Sequence, residues 1–344
     1  MQKVQYKQDE QTLKDKAQKL LPLKNSLEQY RQELGDGTMK YRGLVTGFTE
    51  IDDLISGLDR FILLAGRSGA GKTTLATQLA LGVAKHTPVL FYSLEMDKAD
   101  ITTMILQILA KGLYRNDIEL RGNSPDLPKD IKAKLDDAFN QLSHIANNVY
   151  VKDATAGVPR IADAGDANSI FNTVEAIKAK HETERVLVVI DSVQDVIPTQ
   201  NNQIQAEVET LQKLTEVQQK TGATILVIAQ KNKGSINSQD SYGDVMGSMS
   251  FIHKPNTVIE LVTPKELLAK SKDDKAKAKE VEQVLQTDAQ DGKANPIFLN
   301  IIKGRHTGTK AVPLQYYGAY GYYDADNNNR LRARYSDVYN MFDK

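Results

Sequence analysis

The chain has 344 residues, enough for one large α/β domain with extensions or for two small domains. Lys plus Arg and Asp plus Glu each number 44, so no global attraction to a polyanion exists and any nucleic-acid surface must be local. Cysteine is absent, which excludes disulfide scaffolds and thiolate metal sites and fits a reducing cytoplasm. The start, Met1 to Glu10, is polar, and no apolar run approaches the ~18 residues of a membrane span, so a soluble intracellular protein is expected.

Residues 1–42 are rich in Gln, Lys and Glu. Leu13, Leu20, Leu21, Leu23 and Leu27 give a weak helical stripe, broken by Pro22 and ended by Gly35-Asp36-Gly37. The segment reads either as an arm whose apolar face packs on something else, such as a neighbouring subunit, or as a loose tail. From Val45 onward strands and helices alternate. Phe61–Ala65, Val89–Leu94, Val149–Val151, Val186–Ile190, Thr224–Ala229 and Thr257–Val262 read as strands. Between them, Ile101, Met104, Ile105, Ile108 and Leu109 form one helical face, Ile131, Leu135, Phe139 and Leu142 a second, and Val208, Leu211, Leu214 and Val217 a third. Short unbroken apolar strands alternating with helices predict a mostly parallel sheet covered on both faces. Residues 264–296 read as a solvated, charged helical insertion. Pro296–Lys303 reads as a strand, and 314–323 as a tyrosine-rich hairpin whose rings either pack on the sheet edge or stack on bases, with packing the simpler account. The expected organisation is a helical or flexible N-terminal arm (1–42), one α/β domain (43–325) that carries the 264–296 insertion, and a C-terminal tail (326–344).

Between the first strand and the next helix lies Gly66-Arg67-Ser68-Gly69-Ala70-Gly71-Lys72-Thr73-Thr74, which fits G-x-x-x-x-G-K-[ST]. A strand, a glycine loop and a helix start are the context that makes this pattern a phosphate cradle. Glycines let successive N–H groups point at phosphate oxygens, and the helix N-terminus adds its positive dipole end. Lys72 is placed to reach the β- and γ-phosphates of ATP, and the Thr73 hydroxyl to ligate Mg²⁺.

Ligands on such sheets bind beyond the carboxyl ends of the strands, so the residues closing each strand carry the chemistry. Asp191 closes the strand before it and is expected to orient the Mg²⁺ shell. Glu95 closes another and reads either as the base that activates the attacking water or as a cap of the following helix. Gln230 closes a third and can sense the γ-phosphate; Lys231 and Lys233 behind it are either solvated or phosphodiester contacts. Lys303 and Arg305 end the late strand, and Arg305 is either a surface residue or an arginine finger for a neighbour's site. The five histidines show no metal-ligand spacing.

In this order the pieces resemble the C-terminal motor domain of DnaB-family replicative helicases, a branch of RecA-like ATPases, over residues 44–324. The resemblance runs through Thr46-Gly47-Phe48-Thr49-Glu50-Ile51-Asp52, the phosphate loop, Ser93-Leu94-Glu95-Met96, Ile190-Asp191-Ser192-Val193-Gln194, Ala229-Gln230 and Lys303-Gly304-Arg305. It implies a RecA-like P-loop fold with antiparallel strands at one edge of the sheet. It further implies ATP and Mg²⁺ as cofactors, single-stranded DNA as partner, a hexameric ring moving 5′ to 3′, a loader or primase, and a bacterial or phage-infected cytoplasm. Glu95 would be the catalytic base, and Lys303 and Arg305 would act on the adjacent subunit's nucleotide. Two departures stand out. Only about forty residues precede the motor, where the family carries a helical collar. The DNA-facing loop, Asp244 to Ser250, lacks the family's arginine, so contact there would fall to Gly247 and Ser248. The competing readings are a RecA/RadA/KaiC-like ATPase that does not unwind DNA, and an ATP-dependent scaffold or loader.

Overall fold

The computed structural model describes residues 22–33, 40–159, 161–162, 165–198, 202–231, 250–270, 275–304, 311–326 and 330–343. The chain divides into two units, residues 1–40 and 41–344. In the first, helix α1 (Lys24–Glu33) follows Pro22 and leaves Leu27 and Tyr30 exposed.

Among the described residues of the second unit nine strands form one sheet: β1 (Phe61–Gly66), β2 (Val89–Ser93), β3 (Val149–Asp153), β4 (Leu187–Asp191), β5 (Thr224–Gln230), β6 (Thr257–Val262), β7 (Asn295–Gly304), β8 (Ala311–Tyr317) and β9 (Tyr322–Ala325). Their order is β3-β2-β4-β5-β1-β6-β7-β8-β9. The pairings from β3 to β6 are parallel and those from β6 to β9 antiparallel. This is the α/β sheet with an antiparallel flank that the sequence predicts. Register does the positioning. Gly66 lies level with Gln230, and Ser93 level with Asp191, so four strands end together at one edge.

The parallel strands are apolar on both faces because both faces are covered. Ile62 and Leu64 of β1 join one core with Leu75, Leu79, Ile101 and Ile105. Phe61, Leu63 and Ala65 join the other with Val174, Leu211 and Leu214. The helices before β6 are α2 (Thr49–Ile55), α3 (Lys72–Ala84), α4 (Lys98–Ala110), α5 (Arg115–Glu119), α6 (Lys129–Ile145), α7 (Ile170–His181), α8 (Val193–Val196), α9 (Gln203–Thr221) and α10 (Ser250–His253), and all but α5 contribute side chains to these two cores. Gly222 ends α9 at φ 70°, the left-handed closure that glycine adopts without strain.

The insertion departs from expectation. Helices α11 (Pro264–Lys270) and α12 (Lys275–Gln290) are not simply solvated. Leu268 and Leu285 are buried with Phe298 of β7 and with Tyr335, Val338 and Tyr339 around the C-terminal helix α13 (Ser336–Phe342). Asp288 is fully buried and accepts from Arg334 Nη2 at 2.6 Å and from the Tyr335 hydroxyl at 2.5 Å. The average composition of 264–296 conceals this, because Val281, Val284 and Leu285 share one helical face, and the buried Asp288 lies on it too. The tail supplies the other half of this small core through Tyr335, Val338 and Tyr339.

The tyrosine hairpin packs inward. Tyr316 stacks on Tyr323 at 4.6 Å and Tyr317 on Tyr322 at 4.5 Å, with Tyr323 fully buried.

Candidate nucleotide-binding site

The phosphate loop turns because Gly69 and Gly71 take φ of 77° and 78°. A Cβ on Gly71 would also lie 2.3 Å from the Tyr323 hydroxyl, so only glycine fits where the loop enters α3. α3 has thirteen residues, and its first-turn N–H groups lack intrahelical partners, the setting in which a phosphate is bound. From the far flank, Tyr323 Oη donates to the Ala70 carbonyl at 2.8 Å. Gln78 of α3 locks the same strand: its amide donates to Tyr323 O at 2.9 Å and its oxygen accepts from Tyr323 N at 2.8 Å. The loop is therefore bolted to β9, the last strand of the sheet.

Lys72 Nζ donates to the Arg67 carbonyl at 2.8 Å. Burial holds its pKa below the usual lysine value, opposed by the nearby carboxylates of Asp191, Glu95 and Glu266. The Thr73 hydroxyl donates to Asp191 Oδ2 at 2.7 Å, joining two segments 118 residues apart. Burial pushes Asp191 up to about 6; the Thr73 hydrogen bond and Lys72 pull it down, and Glu95 and Asp195 push it up. A hydroxyl and a carboxylate side by side are hard oxygen donors, the set that suits Mg²⁺. Glu95 is exposed in the turn after β2, with Ser93 Oγ donating to Met96 O at 2.6 Å and Leu94 N to Asp191 O at 2.8 Å. The helix after it is capped by Asp97, which accepts from Asp100 N at 2.8 Å, so Glu95 does not serve as the cap. Gln230 is exposed at the end of β5, and its carbonyl accepts from Gln194 Nε2 at 3.3 Å.

Two expected residues find partners within this chain. Lys231 does not reach outward as a DNA contact. Its N–H donates to the Gly66 carbonyl at 3.1 Å and its ammonium pairs with Glu260, with side-chain exposures of 8% and 6%. A carboxylate buried on β6 needs a cation, and Lys231 is beside it. The Lys303 ammonium donates to the carbonyls of Ile252, His253 and Pro255 at 2.7–2.8 Å. It satisfies groups that the short helix α10 leaves open at its end. Lys233, Gly247, Ser248 and Arg305 lie outside the described residues.

Sequence reasoning misses Glu266, although a signal for it exists. Thr263-Pro264-Lys265-Glu266 is a capping box with proline at the first helical position. Thr263 N donates to Glu266 Oε2 at 2.9 Å and Glu266 N to Thr263 Oγ1 at 3.3 Å. The box starts α11 where β6 ends, next to β1 and the phosphate loop. Tyr323 and Gln78 carry no comparable signal, because their value depends on which strand lies beside the loop.

A phosphate loop, a hydroxyl–carboxylate pair and a further carboxylate at the carboxyl edge of a parallel sheet define a RecA-like P-loop domain. Similarity to known proteins narrows this. The family profile of the DnaB-like helicase C-terminal domain matches residues 43–325, and the chain belongs to that family. The replicative DNA helicase DnaB of Leifsonia xyli subsp. xyli (strain CTCB07) is 44% identical over 93 residues, which are 24% of this chain and 20% of that protein. The match thus spans about a fifth of that relative's length. Among solved structures, one described as an ATPase domain superposes with a TM-score of 0.70 at 20% identity, covering 88% of this chain and 98% of that one. A DnaB-like replicative helicase, described with its interactions with primase, gives 0.68 at 20% identity, covering 89% and 67%. At that identity the superpositions speak to fold. Among the described residues no helix is long and apolar enough to cross a membrane.

Proposed function

We propose that the chain is an ATP-driven DNA helicase motor of the DnaB-like kind, acting in DNA replication. The observation that carries the reading is the meeting of Lys72, Thr73, Asp191 and Glu95 at one sheet edge, with Gln230 level with the start of the phosphate loop. Main-chain N–H groups of residues 66–74 cradle the phosphates, and Lys72 exchanges the Arg67 carbonyl for phosphate oxygens. Thr73 and Asp191 hold Mg²⁺, which when bound neutralises charge on the phosphoryl group. Glu95, exposed and free of capping duty, takes the proton of the attacking water. Gln230 reports the γ-phosphate to the segment that follows it.

Arg305 completes a neighbouring subunit's site, so hydrolysis depends on assembly of a hexameric ring. Single-stranded DNA passes through that ring 5′ to 3′, with Gly247, Ser248 and Lys233 as its contacts, and a loader or primase assists in a bacterial or phage-infected cytoplasm. The test is strand displacement with ATP and Mg²⁺ on forked duplexes loadable through only a 5′ or only a 3′ tail. Unwinding from the 5′ tail alone supports the motor and its polarity. Unwinding from the 3′ tail alone refutes the polarity, and none from either, with a loader supplied, refutes the helicase.

A further inference from the structure

The second residue of the phosphate loop is tied to the insertion. Arg67 Nε faces Glu266 Oε1 at 3.2 Å. The other carboxylate oxygen is already occupied: Glu266 Oε2 accepts from Thr263 N at 2.9 Å and Thr263 Oγ1 at 3.0 Å. With both oxygens engaged and the side chain 7% exposed, the carboxylate has one orientation. Its helix α11 is held in turn by Leu268, which is buried with Tyr335, Val338 and Tyr339. On the other side, the Arg67 carbonyl is where Lys72 rests and where Ala70 N donates at 3.2 Å. A continuous path therefore runs from the tail helix through Leu268, Glu266 and Arg67 to the lysine that meets the phosphates.

We propose that Glu266 is a positioning residue that holds the phosphate loop through Arg67, and that it makes the packed module of helices α11, α12 and α13 an input to ATP affinity. The inference rests on the ATP-binding reading above. Arg67 is held by a fixed, largely desolvated carboxylate, and a charge-assisted contact of this kind orders its partner more firmly than a solvated pair does. A loop held in its phosphate-ready shape binds without a prior ordering cost, so losing the tie weakens binding and leaves the chemical step alone. Glu266 touches no reacting atom in this account; its contact to the loop is Arg67, and its charge acts on Lys72 only through space.

The experiment is a double-mutant cycle in the full-length chain, with Glu266→Gln, Arg67→Gln and the double variant. Binding is read with a fluorescent ATP analogue and Mg²⁺, and KM and kcat by steady-state hydrolysis. Glutamine at 266 keeps an oxygen for Thr263 and removes the charge. The expected result is roughly three- to ten-fold weaker affinity and higher KM for Glu266→Gln, with kcat within about two-fold of wild type. The double variant should be no weaker than the weaker single variant. Wild-type affinity in Glu266→Gln overturns the inference, as do additive losses, which mean the two residues act apart. If Glu266→Gln unfolds, Arg67→Gln alone decides: its side chain is partly exposed, and wild-type affinity there also overturns the inference. A wild-type chain that binds no MgATP overturns the nucleotide reading itself, which distinguishes the two failures.

Discussion

The parallel half of the sheet and its antiparallel flank serve the same loop by different means. Along β1, β2, β4 and β5 each functional residue closes its strand, as Asp191 and Gln230 do, or lies in the turn or helix start just beyond it, as Glu95, Lys72 and Thr73 do, so strand register delivers it to the site. The flank meets the phosphate loop at its main chain. It holds the loop from behind, through Tyr323 on Ala70, Gln78 on β9 and Glu266 on Arg67. Chemistry at the parallel edge thus depends on geometry supplied by elements much later in the chain. Substitutions in the two halves should differ in kind: the first should remove turnover, the second should cost stability or affinity.

The largest effect tests that division most harshly. Glu95→Gln should bind MgATP as wild type does yet lose ~10²- to 10⁴-fold in kcat, the usual worth of a positioned base. Near-normal turnover by this variant would move the base elsewhere and break the contrast. Next, Lys231→Met should destabilise the fold by about 3–5 kcal/mol in urea titrations, because Glu260 is left charged and buried. Little loss there, with a marked drop in DNA binding, would return Lys231 to the surface. Tyr323→Phe should lose only about 1 kcal/mol, the net value of the hydrogen bond to Ala70, since the ring stays packed on Tyr316. Its measurable sign is a rise in the KM for ATP larger than any change in kcat.

The smallest effect concerns pH. Burial raises Asp191 to about 6, above its ordinary carboxylate value of 3.8, so the folded chain keeps a proton that the unfolded chain releases. That contribution to stability is full below about pH 4, falls as pH rises toward about 6, and is absent above it. The difference in unfolding free energy between wild type and Asp191→Asn should therefore vary across this window and be flat above it. A difference that is flat from about pH 4 to about pH 7 contradicts the burial of Asp191.

What was legible in the sequence follows the same division. The phosphate loop, Asp191, Glu95 and Gln230 are local patterns, each a strand ending in one informative residue, and all of them meet at one edge. The partners of Lys231 and Lys303 are not legible because a lysine after a strand looks the same whether it faces solvent, Glu260 or three carbonyls; only the neighbouring element decides. The insertion misleads because its apolar residues are few and their partners, Tyr335 and Tyr339, come only in the tail. Glu266 is written as a capping box, but its reach to Arg67 depends on β6 pairing with β1, which local pattern does not specify.

The most direct test of the central claim is steady-state ATP hydrolysis by the wild-type chain with and without single-stranded DNA, beside Lys72→Ala. The account predicts Mg²⁺-dependent turnover, raised by single-stranded DNA and abolished in Lys72→Ala. Turnover that persists in Lys72→Ala, or that ignores single-stranded DNA under assembly conditions, would contradict a DNA motor driven from this site.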